Sequence, residues 1–204
     1  MAALDESTRG LVRLAAIIAA GDEQAVRAAM AQTIDVVSPE WVEELVLQSY
    51  LFCGFPRTLN AMREWRRLTG RTASRDADAG GPDEWRARGE ATCRLVYGAM
   101  YDRLRVNIRA LHPDLDEWMI VEGYGKVLSR PSLDLARREL CIVAACAASE
   151  QDRQLHSHLH GAINVGVASS ALTEAIDALE GVVAEDRLSS ARLLWRRVQN
   201  QLST

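Results

Sequence analysis

The stretch ELCIVAACAASEQDRQLHSHLHGAINVG, Glu139 to Gly166, decides how this chain is read. It opens on a carboxylate, runs through an apolar block, breaks at Ser149-Glu150-Gln151 and closes on three histidines and a GAxNxG turn. Leu155, Leu159, Ala162 and Ile163 recur at helical spacing, so the histidine segment predicts a helix. His156, His158 and His160 would share one face of a strand and there suggest a metal site. At about 100° per residue on a helix they do not share a face. His158 then borders the apolar stripe on one flank, with His156 and His160 on the other.

The same helical period extends outward. Leu11, Leu14, Ala15 and Ile18 mark one face, and Val26, Met30 and Ile34 another. Ser38-Pro39-Glu40 is a helix start, with Ser as N-cap and Pro in the first turn. Phe55-Pro56 restarts a helix carrying Leu59, Met62 and Trp65. Helices are also expected from Trp85 to about Leu111, from Asp114 to Val127, and from Leu133 to Ala148 after the Ser129-Arg130-Pro131-Ser132 break. β-alternation is lacking, and the expectation is an all-α helical bundle. Residues 69–83, TGRTASRDADAGGPD, read as a linker between an N-terminal helical half, 1–68, and a half carrying the histidines, 84–204, the two packing as one domain.

A weak internal repeat is present. The segment from Leu11 overlays that from Cys141 at an offset of 130, matching Val37 with Val167 and Ala28 with His158. Helical hairpins in general share such a pattern, so the overlay leaves duplication and coincidence both open.

Composition narrows the class. The chain has 204 residues, 48% apolar and 25% charged, with net charge −4, which describes a globular protein and not a nucleic-acid binder. No apolar run approaches the roughly eighteen residues of a membrane span, and the first residues do not read as a signal peptide, so a cytoplasmic location is expected. Cys53, Cys93, Cys141 and Cys146 lack CxxC or metal-ligand spacing and read as buried thiols.

Two residues stand out as chemistry. His158 is followed by Gly161, Ala162 and Gly166, small residues that admit close helix approach. Glu139 lies nineteen residues earlier on the preceding helix, within reach across an antiparallel hairpin. A histidine held by a carboxylate shuttles protons; a satisfied core histidine is the alternative. Asp152, His156 and His160 form an i, i+4, i+8 row that reads as a solvated polar face, since one helix rarely supplies a supported metal site. No metal or cofactor is expected. Tyr124 and Arg130 gather around the EGYGKVLSRP break, where Arg130 could grip a carboxylate or cap the preceding helix.

Two blocks resemble the carboxymuconolactone decarboxylase family, which includes the alkylhydroperoxidase D-like proteins. EGYGKVLSRPSLDLARREL, Glu122 to Leu140, is similar to the family's aromatic-Gly pair, SRPGLD and basic helix start; LHSHLHGAINVGV, Leu155 to Val167, is similar to its HxRGAxNxGV. A looser block, Ser38 to Met62, resembles the family's closing hairpin but precedes the histidine motif, which implies a duplicated or rearranged helix order. The resemblance implies an all-α bundle and a homo-oligomer, a trimer or hexamer, with sites near subunit contacts. It assigns His158 to the family histidine and Glu139 to the glutamate of the peroxidase branch. That branch also needs a CxxC, and Gln151 and Gln154 occupy its positions here, which places an antioxidant role low. His160 replaces the arginine of the HxRG motif, so Arg130 or Arg138 would take over any carboxylate it binds. The function implied is cofactor-free decarboxylation or lactone processing of a small organic acid, with His158 and Glu139 catalytic and Arg130, Arg138, His160 and Tyr124 binding substrate. A non-catalytic helical scaffold is the alternative.

Overall fold

A computed structural model describes residues 3–72 and 80–202. Among them every regular element is helical, as the periodicity required, and no helix is long and apolar enough to cross a membrane. Residues 73–79 of the expected linker lie outside the described residues.

By its internal contacts the chain forms two units. The first joins Met1–Ala73 to Ser132–Thr204, and the second is Ser74–Pro131. The sequence-based division follows chain order instead, grouping 84–131 with the histidine motif.

The first unit is built of α1 (Glu6–Ala20), α2 (Glu23–Thr33), α3 (Pro39–Thr69), α7 (Leu135–Ala148), α8 (Asp152–Asn164), α9 (Ser169–Asp177) and α10 (Glu185–Leu202). Helix α3 is kinked at Gly54, where φ is 78°, so Pro56 starts a second helical segment as the sequence implied. Four helical segments are then followed by four equivalents. Asp5 caps α1 by accepting from Thr8 N, and Asp134 caps α7 by accepting from Arg137 N, three residues on in both cases. In α2 the buried residues are Val26, Ala29, Met30 and Thr33, and Leu155, His158, Leu159 and Ala162 repeat them in α8 at an offset of 129. From Val37 and Val167 onward the offset is 130: Val42, Leu45 and Val46 correspond to Leu172, Ala175 and Ile176, and Trp65 to Trp195.

The one-residue change falls between the second and third helices. Val37 N donates to Thr33 O, four residues back, whereas Val167 N donates to Ala162 O, five back. The added residue is Gly166, at φ 89°, a left-handed conformation that costs glycine little. The partner of His158 in the first copy is therefore Ala29, not the Ala28 of the sequence overlay. The early closing hairpin is α3, the counterpart of α9 and α10, so helix order is duplicated and not rearranged.

The two copies interlock through reciprocal ion pairs. Arg138 of α7 reaches Glu44 of α3 at 2.6 Å, and Arg9 of α1 reaches Glu174 of α9 at 3.7 Å. Arg9 and Arg138 occupy the same turn of their helices, and Glu44 and Glu174 are equivalent. The first helix of each copy thus pairs with the third helix of the other.

The second unit contains α4 (Pro82–Tyr97), a short 3₁₀ turn (Gly98–Met100), α5 (Tyr101–Leu111), α6 (Pro113–Trp118) and a π-helical segment (Met119–Leu128). The continuous helix expected from Trp85 to Leu111 is broken at Gly98, whose φ is 51°. The helix expected from Asp114 to Val127 widens into π geometry after Trp118. Gly125 sits where a Cβ would lie 1.9 Å from Trp85 O, and a Cβ on Gly89 would lie 2.1 Å from Ile120 O. Only glycine permits this approach of α4 to the π segment. Asp116, buried, is held by Arg105 and Arg109.

Candidate functional site

Helices α7 and α8 form a hairpin closed at Ser149–Gln151, where Gln151 N donates to Cys146 O. Glu150 makes the turn with φ 62°. In α7 every residue from Arg138 to Ala148 is buried, which brings Glu139 inside. In α8 the apolar face formed by Leu155, Leu159 and Ala162 carries His158 inward beside them.

The two meet as the spacing anticipated. His158 Nδ1 lies 2.8 Å from Glu139 Oε2, with Glu139 0% and His158 5% exposed. An ionised carboxylate only accepts, so Nδ1 donates to it and Nε2 is the other ring nitrogen. Glu139 Oε1 is buried with no hydrogen-bond partner. Phe52, at the end of the first segment of α3, meets the imidazole edge-on, 5.8 Å between ring centres. Sequence reading missed Phe52; its place two turns beyond Glu44 and one beyond Gln48 on α3 is visible only once α3 is laid along α7. In the first copy the same positions hold Gly10 and Ala29, so the duplicated frame carries one acid–imidazole pair.

Arg138 was expected as a substrate ligand, and its surroundings assign it elsewhere. It is 0% exposed, pairs with Glu44, and donates to Gln48 Oε1 at 3.0 Å and to Leu133 O at 3.0 Å, while Gln48 Nε2 donates to Arg138 O. The guanidinium is fixed in the core, one residue from Glu139, and holds α3 against α7. His160 points away from the pair. Its ring packs 4.9 Å from His156, and burial, then the charge of His156, hold its pKa below the usual value. Tyr124 and Arg130 belong to the second unit; Tyr124 is buried there against Tyr97, ring centres 6.1 Å apart.

The thiols are poorly suited to redox work. Burial pushes Cys141 and Cys146 up to about 12, the Cys146 value raised further by the charge of Glu139. Cys53 is partly exposed and also raised by burial. Cys93 is buried in the second unit. Among the described residues no cluster of His, Cys, Asp and Glu is arranged to hold a metal ion.

An all-α bundle with one buried Glu–His pair on a helical hairpin defines the class. The description "Carboxymuconolactone decarboxylase family" matches residues 113–197, which contain the hairpin, and over that stretch the chain is similar to the family. It is similar to a protein of Schizosaccharomyces pombe named Peroxisomal protein 2, with 30% identity over 148 residues. That alignment covers 68% of this chain and 66% of the relative, just under two thirds of its length.

Proposed function

We propose that this chain is a cofactor-free carboxy-lyase of small organic acids, acting on a carboxylated lactone or a β-keto acid. The observation that supports the reading is the buried 2.8 Å contact between Glu139 and His158, present in one copy of a duplicated frame. The C–C bond to the carboxylate breaks, its electron pair passes into an enolate or dienolate, and carbon dioxide leaves. Imidazolium Nε2–H of His158 then protonates the carbon. Glu139 holds the ring in one orientation through Nδ1 and balances the positive charge during transfer. Of the residues expected to hold the substrate's acid group, Arg138 is held by Glu44 and does not serve. A homo-oligomer, trimer or hexamer, accompanies this reading and is checked by light scattering on the purified protein.

The test is carbon dioxide release from a panel of carboxylated lactones and β-keto acids, with wild type and His158→Ala side by side. Turnover lost in the variant supports the assignment, and unchanged turnover sinks it.

A second reading, a non-catalytic binding scaffold, has one observation in its favour. Two cavities, of about 500 Å³ and 220 Å³, are lined by α1–α3 and by α9–α10 residues and do not include Glu139 or His158. No turnover with any member of the panel shifts weight to this reading.

A further inference from the structure

The duplicated frame offers an internal comparison, because the same position is filled in one copy and open in the other. In the first copy Glu43 is clamped. Arg66 donates to both of its oxygens at 2.6 and 2.9 Å, Trp65 Nε1 donates at 3.3 Å, and Arg71 Nε at 3.2 Å. In the second copy Trp195 and Arg196 stand where Trp65 and Arg66 stand, but Thr173 replaces Glu43. Trp195 Nε1 donates to Thr173 Oγ1 at 2.8 Å, and that hydroxyl donates on to Ser169 O at 2.9 Å. Arg196 is left with no hydrogen bond or ion pair among the described residues.

A cavity of about 220 Å³ opens at this point, lined by Thr173, Ile176, Asp177, Arg192, Trp195, Arg196 and Gln199. Asp177 accepts from Arg192 at 2.8 Å and so contributes little net negative charge. The second cation, Arg196, sets the sign of the groove. Ile176 and Trp195 supply an apolar floor. The volume falls below the usual range for drug-sized ligands and suits a small molecule.

We infer that this groove binds a small organic carboxylate, whose acid group takes the place on Arg196 that Glu43 takes on Arg66. The grip is two-pronged, with a short apolar or aromatic body lying against Ile176 and Trp195. The site is separate from Glu139 and His158 and does not depend on the reaction proposed for them.

The experiment is calorimetric titration of the full chain with benzoate, and with benzamide as the neutral isostere. Benzoate is expected to bind and benzamide not. Arg196→Gln should weaken benzoate by at least about tenfold, one bidentate charge-assisted pair being lost. Thr173→Glu rebuilds the acid of the first copy, a set the frame already accommodates, and should abolish binding by occupying the groove from within. His158→Ala should leave it unchanged. Absence of binding, equal binding of benzoate and benzamide, binding unaffected by both groove variants, or binding lost in His158→Ala would each overturn the inference.

Discussion

Glu139 and His158 meet through one carboxylate oxygen: Oε2 lies 2.8 Å from Nδ1, while Oε1 is buried and unpartnered. A buried polar atom left unsatisfied opposes folding. The frame evidently tolerates the alternative, since Gly10 and Ala29 fill the same positions in the first copy. On the proposed reading the acid serves the imidazole and not stability.

Two consequences separate chemistry from packing. His158→Ala should lower turnover by about 10²–10⁴-fold, the usual range for a positioned acid–base group, and Glu139→Gln by less, since the amide oxygen still accepts from Nδ1. In urea unfolding, His158→Ala alone should cost up to about 3–5 kcal/mol by stranding a buried carboxylate. Adding Glu139→Met should recover part of that loss. A double variant less stable than the single one would mean that the acid is structural.

The reciprocal ion pairs provide the second test. Arg138→Met removes the buried ion-pair partner of Glu44 and should cost about 3–5 kcal/mol. Arg9→Ala breaks the equivalent but solvent-exposed pair with Glu174, 44% and 41% exposed, and should cost about 0–1 kcal/mol. Denaturant midpoints of the two variants measure the contrast. Equal losses would show that burial does not govern these pairs.

Much of this was legible in the sequence, and the limits have physical causes. Helical period and the Glu139–His158 spacing both register along one chain, and a hairpin turns such spacing into contact. The exchange of partners between copies does not register, because Arg138 and Glu44 are 94 positions apart and only the packing of α3 on α7 joins them. Arg138 read as a substrate ligand for that reason. The repeat was visible, but Gly166, after the end of α8, shifts its register by one residue, which a fixed offset cannot follow. The π segment was unreadable as such, since its residues are apolar at helical spacing and only the contact with Gly89 distinguishes it.

Acid sensitivity should trace partly to Glu43. The guanidinium of Arg66, with help from Trp65 and Arg71, holds its carboxyl below the usual value of 4.5. A depressed folded value means the contribution is complete above the unfolded pKa and lost as pH falls through the folded one. Stability measured against pH should show a constant gap between wild type and Glu43→Gln from about pH 6 to 8, closing below about 4.5. A gap that widens in acid would contradict the assignment.

Thiol chemistry gives the last check, on whether a thiol-based redox function fits this chain. Gln151 and Gln154 stand in the CxxC positions, and the nearest thiol along α7, Cys146, is pushed up to about 12 by burial and by the charge of Glu139. A thiolate is the reactive form, so neither Cys141 nor Cys146 should react in the native protein at about pH 8. Titration with a chromogenic disulfide should then report Cys53 at most, and all four cysteines once denaturant is added. Rapid native reaction of two or more thiols would return weight to a redox function, and the proton-transfer reading would have to share this fold with it.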